Sequence, residues 1–117
     1  MNSANLLLVL FLLGSSNVFA VDCQKNITAH SDMVACARNH LVENESLIGK
    51  LIREKGGSYE ISEGYYDSQR KSIHDRCMIY SGLGGQRSEI LEAQCEVDET
   101  KRLFDLIESY IRDSDAD

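Results

Sequence analysis

Cysteine is the residue type in this chain best placed to do chemistry. Cys23, Cys36, Cys77 and Cys95 are the right number for two disulfides, and three pairings are open to them. The sequential pairing, Cys23 with Cys36 and Cys77 with Cys95, closes the shortest loops. In the chain-entropy account each such loop stabilises the fold by roughly 3 kcal/mol. Once paired, the cysteines leave no thiol nucleophile. A zinc site is the rival use, but these spacings lack the close Cys-x-x-Cys pairs of structural zinc sites, so no metal is expected. His30, His40 and His74 offer no i, i+4 pair for a helical metal site. His74 and Asp75 are adjacent, and neighbours on a helix do not face each other. Gly84-Gly85 lacks the lysine and preceding strand of a phosphate loop, and no Gly-x-Ser-x-Gly elbow is present. The expectation is a binding protein with no catalytic residue and no cofactor, not an enzyme.

Disulfides need an oxidising compartment, and the N-terminus supplies a route to one. Residues 1–20 carry no charged side chain, and Leu6 to Leu13 is an unbroken apolar run followed by Val18-Phe19-Ala20. This reads as a secretory signal cut after Ala20, although no Lys or Arg precedes the run. The run is too short to cross about 30 Å of hydrocarbon as a helix, so no stable membrane insertion is expected. Asp22 before Cys23 argues against a lipidation signal. The domain is then expected over 21–112, in the periplasm or secreted, with an acidic frayed tail at 113–117. The net charge of -7 argues against nucleic acid, whose phosphates need a basic surface. It is compatible with a basic protein partner through long-range attraction, and equally with acidity that serves solubility alone. Asn-x-Ser/Thr matches at Asn26 and Asn44 are taken as chance, since Asn44 falls on an inward stripe.

The elements that must carry these residues are helical. There is no proline to interrupt a helix. Val34, Ala37, Leu41, Asn44, Ile48 and Leu51 step by three and four, one stripe of a helix that starts near Thr28 or Ser31 and stops at Gly56-Gly57. A second helix is expected from about Ser62 to Tyr80, with Tyr66, Gln69, Ile73, Cys77 and Tyr80 inward. The third is capped at Ser88 and turns Ile90, Ala93, Val97, Thr100, Phe104, Ile107 and Ile111 inward, with Leu91, Leu103, Leu106 and Tyr110 beside them. Three amphipathic helices without a comparable strand pattern predict an all-α fold, a small three-helix antiparallel bundle cross-linked by two disulfides.

Two features remain as binding candidates. Ser81-Gly82-Leu83-Gly84-Gly85-Gln86 reads as a loop, and Arg87 follows it. Glu89, Glu92, Glu96 and Glu99 form one row on the third helix, expected to be an exposed acidic strip that could meet a basic surface.

The cysteine frame resembles the LprI-type lysozyme-inhibitor family of bacterial envelope proteins. The matching residues are Cys23, then Met33 before Cys36-Ala37, then Gly84-Gly85 between Cys77 and Cys95, then Thr100 and Leu106. The family's Leu-Asn-x-x-Tyr step in the first helix is absent, as is its tryptophan before the third cysteine. The resemblance implies inhibition of lysozyme or a related muramidase, which cleaves with paired carboxylates. Ser81 to Arg87 would plug that cleft, with Arg87 as the cation. The alternatives are a periplasmic immunity protein against a delivered toxin and an envelope interaction module without an enzyme target.

Overall fold

A computed structural model describes residues 22–25 and 27–115. The expected signal segment, Val21, Asn26 and the last two residues lie outside these. The described residues form three helices and no strand. Helix α1 is His30–Lys55, α2 is Glu63–Cys77 and α3 is Gly85–Asp115. A 3-10 turn, Gly56–Tyr59, follows α1, and a longer one, Met78–Leu83, joins α2 to α3. No described helix is long and apolar enough to cross a membrane.

Local chemistry explains most of the boundaries. The Ser62 side chain accepts from Tyr65 N, the N-cap interaction that starts α2. Helix α1 begins at His30 instead, on Ala29, with no side-chain cap; neither Thr28 nor Ser31 serves. Its end is sharper. Gly56 is buried, and a Cβ there would sit 2.6 Å from Ile61 O. That carbonyl is backbone and cannot yield, so the glycine is required by space rather than by its φ of -58°. Gly84 and Gly85 have φ of 71° and 70°, where L side chains are strained. They redirect the chain into α3. That helix therefore starts at Gly85, ahead of the expected cap. Ser88 lies within it and donates its hydroxyl to Tyr80 O at 2.7 Å.

The lengths decide the architecture. With 26, 15 and 31 residues, α1, α2 and α3 run about 39, 22 and 46 Å. Helices α1 and α3 point the same way. His30 lies by Glu89, Asn44 by Thr100, and the Tyr59 hydroxyl by Asp115. Helix α2 returns antiparallel to both but spans only their later halves. There a core forms from Ile48 and Ile52 of α1, Ile73 and Cys77 of α2, and Leu103, Ile107 and Ile111 of α3. Beside the earlier halves a smaller core holds Cys23, Val34, Ala37, Ile90 and Val97.

The two cores explain a departure from the expected stripe. Ile90, Gln94 and Val97 are buried in the first half of α3, and Leu103, Ile107 and Ile111 in the second. At about 100° per residue, the inward face moves round the helix by roughly a quarter turn. Leu103 is therefore buried and Phe104 only partly so, while Leu106 and Tyr110 are exposed. Helix α3 also continues to Asp115, past Arg112, and the Tyr59 hydroxyl hydrogen-bonds the Asp115 carboxylate.

Candidate functional site

Both disulfides join sequential cysteines. Cys23–Cys36 has its Cα atoms 5.7 Å apart and Cys77–Cys95 5.6 Å apart. The first holds the segment before α1 as a strap along the seam of α1 and α3. Cys23 is fully buried, and its backbone N–H donates to Gln94 Oε1 at 3.2 Å. The second joins the end of α2 to α3 and anchors the 3-10 turn between them.

Opposite the strap, charge ties the three helices together. Arg70 of α2 donates from Nε to Glu45 of α1 at 2.9 Å, and its Nη1 lies 3.5 Å from Glu96 of α3 without hydrogen-bond geometry. His74 Nδ1 faces the same Glu96 oxygen at 3.4 Å. Tyr66 is close enough to this network to respond to it. Partial burial first, and then the Glu45 charge, raise its pKa above 10.0, with Arg70 opposing. Deeper in the seam, Asn44 donates from Nδ2 to Val97 O and to Thr100 Oγ1, both at 3.1 Å. The Thr100 hydroxyl in turn reaches Glu96 O at 2.7 Å.

The acidic row is not the exposed strip its spacing suggested. Glu89 is exposed, but Glu92, Glu96 and Glu99 are half-buried. Cations of the other helices meet three of the four. Glu89 pairs with His30 and Arg38 of α1, Glu96 with Arg70 and His74, and Glu99 with Arg76. The row runs along the flank of α3 that faces its neighbours, so its charge is largely answered within the molecule. The Glu92 carboxylate forms no hydrogen bond or ion pair among the described residues. It lies in a groove of about 370 Å³ lined by Arg38, Leu41, Val42, Glu89, Glu92, Ala93 and Glu96.

The candidate loop residues take a different form from the one expected. Ser81, Gly82 and Leu83 belong to the 3-10 turn, Gly84 is the bend, and Gly85, Gln86 and Arg87 open α3. All seven are exposed. Around them Ile79 and Leu83 are 78% and 57% exposed, so this tip presents apolar side chains beside the opening turn of α3. It stands apart from the Glu92 groove. Tyr80 lies by Leu91 and Cys95, on another face of α3.

Two groups of side chains come within metal-ligand reach among the described residues. Cys23, Cys36 and His40 form one, but both sulfurs are in a disulfide. His74, Glu92 and Glu96 form the other, where the Arg70 guanidinium already supplies positive charge beside Glu96.

Comparisons with known proteins supply a family. The family model for Antitoxin TsiV3 matches residues 27–116. The chain is also 32% identical, over 110 residues, to the antitoxin protein TsiV3 of Vibrio cholerae serotype O1 (strain ATCC 39315 / El Tor Inaba N16961), covering 94% of this chain and 90% of that relative. The chain belongs to the TsiV3 antitoxin family.

Membership of the TsiV3 family overturns the resemblance to the LprI-type inhibitors. That resemblance stood on cysteine spacing, a glycine pair and a few scattered positions. Such features follow from two sequential bridges and a glycine bend between helices, so they report architecture more than ancestry. The plug mechanism assigned to Ser81 through Arg87 loses the lysozyme target that motivated it. Sequence reasoning missed Arg70 and the Asn44–Thr100 contact. The second had a visible signal: two polar residues, each on the apolar stripe of a different helix.

Proposed function

We propose that this protein is an exported immunity protein that neutralises a delivered toxin by binding it without covalent chemistry. The observation that carries the reading is family membership over almost the whole chain, at 32% identity to an antitoxin. The rest is consistent with it. Leu6 to Leu13 reads as an export signal, and disulfides persist in oxidising compartments. The periplasm is the place where such a protein would meet an incoming toxin. Binding needs no cofactor and no catalytic residue. The net charge of -7 favours a toxin with a basic surface. A lysozyme-like target has lost the resemblance that suggested it.

The test is protection of living cells. A candidate toxin, sought among the products of the neighbouring genes, is expressed with a periplasmic signal, alone or with this protein. Co-expression of the full chain should restore growth, and a chain lacking residues 1–20 should not. Absence of rescue by the full chain would sink the antitoxin reading. Equal rescue by both chains would sink its periplasmic part.

A further inference from the structure

We propose that the groove between α1 and α3 receives a lysine or arginine side chain of the toxin, with Glu92 as its counter-ion and Leu41 and Val42 as the bed for its methylene stem. This names the contact for the antitoxin reading above and rests on it.

The groove exists because α2 is short. In the second half of α3 the flank facing α2 is covered. At about 100° per residue, Glu89, Glu92, Ala93 and Glu96 continue that flank toward the start of the helix. There α2 has ended at Cys77, and the chain turns toward Tyr80, Leu91 and Cys95. The strap does not reach the groove either. It holds Gln94, two positions from Glu92 and so nearly opposite it on the helix. Val42 is left 66% exposed on the α1 wall.

Charge selects the occupant. Glu92 sits between Glu89 and Glu96, and like charges at such spacing repel. Both neighbours have cations from other helices, whereas Glu92 has none among the described residues. Its carboxylate is within 4.8 Å of a Glu96 oxygen and the His74 ring nitrogen, yet it pairs with neither. Arg38, the cation on the rim, is turned to Glu89 at 3.3 Å. A half-buried, unpaired carboxylate above an aliphatic wall is complementary to a long cationic side chain, which lays its stem on apolar surface and extends its charge beyond it. Arginine fits best, since its guanidinium can take a carboxylate in two parallel hydrogen bonds.

The experiment titrates the purified candidate toxin of the co-expression test against the oxidised protein and its variants. Glu92→Gln, which keeps the shape, should weaken binding about tenfold and flatten the salt dependence. Glu92→Lys should weaken it at least a hundredfold. Val42→Asp should cost about tenfold. Glu108→Gln, an exposed carboxylate elsewhere on α3, should change affinity less than twofold. All variants should melt within a few degrees of the parent. Wild-type affinity in Glu92→Lys and Val42→Asp would overturn the groove assignment while leaving the antitoxin reading in place. So would a Val42→Asp effect confined to self-association, which would make the groove a contact between copies. A parent protein that neither binds nor neutralises this toxin would remove both.

Discussion

The half of the bundle wrapped by α2 and the half bound by the strap solve the same packing problem with different means. In the first, seven buried side chains from three helices meet, five of them isoleucines. In the second there are five, and they are smaller: Val34, Ala37, Ile90, Val97 and Cys23. At about 1.5–3 kcal/mol for each large aliphatic side chain removed from water, the first half holds itself together by apolar burial. The second half lacks a third helix. A short strap takes its place, fixed by one sulfur bridge and by the Cys23 N–H on Gln94. Loop entropy does not separate the two bridges. Their sequence separations of 13 and 18 differ by only about 0.3 kcal/mol in the chain-entropy account. What separates them is what else would hold the same residues in place if the bridge were cut.

That contrast can be broken from either side. The largest effect is expected in the helix-wrapped half. Ile107→Ala should destabilise the protein by about 2–5 kcal/mol, read as a drop in the denaturant midpoint. Ile107 is 2% exposed and packed from three helices, so the cavity cannot collapse. A loss below about 1 kcal/mol would mean that this half is loosely packed and the contrast unfounded. Next comes the double variant Cys23→Ser/Cys36→Ser, expected to cost roughly 3 kcal/mol. Its signature is local. Hydrogen exchange should become fast over 22–29 and rise around Val34 and Ile90, while amides near Ile73 and Ile107 keep their order of protection. Uniform acceleration along the whole chain would show a single cooperative core.

The same contrast marks what could be read in the residues beforehand. The three helices, the sequential bridges and the stripe through Val34, Ala37 and Ile48 are local properties, set by spacing and turn chemistry, and the structure repeats them. The face of α3 was legible only in part. A single stripe assumes one partner surface along the helix, and α3 has two. Leu106 and Tyr110 were therefore placed inward but stand in solvent. The candidate site was less legible. Glu89, Glu92 and Glu96 are one row by spacing, yet the partners that distinguish them are Arg38, Arg70 and His74, distant in sequence. No periodicity within one helix can reveal which member of the row stays unpaired.

A smaller effect tests the seam where the two halves meet. Asn44→Ala removes the donor to Val97 O and Thr100 Oγ1. Thr100 is fully buried, and its hydroxyl is retained by the Glu96 carbonyl. The expected loss is about 1 kcal/mol, that of one partly buried side-chain hydrogen bond whose acceptors keep other contacts. It should combine non-additively with Thr100→Val in a double-mutant cycle. Simple additivity would mean that the two side chains act independently.

The smallest effect is set by pH. Burial and the Glu45 carboxylate raise the Tyr66 pKa, so the folded protein holds the phenol proton more tightly than the unfolded chain does. The associated stability is fully present below the unfolded value of 10.0 and fades as pH rises through the higher folded value. Tyr66→Phe has no proton to lose. Its melting temperature should fall less than the parent's between about pH 9 and pH 11. Glu45→Gln should reduce the difference without abolishing it, because burial, the larger cause, remains. Parallel loss of stability in Tyr66→Phe and the parent would show that Tyr66 ionises alike folded and unfolded, and that the Glu45–Arg70 network does not reach it.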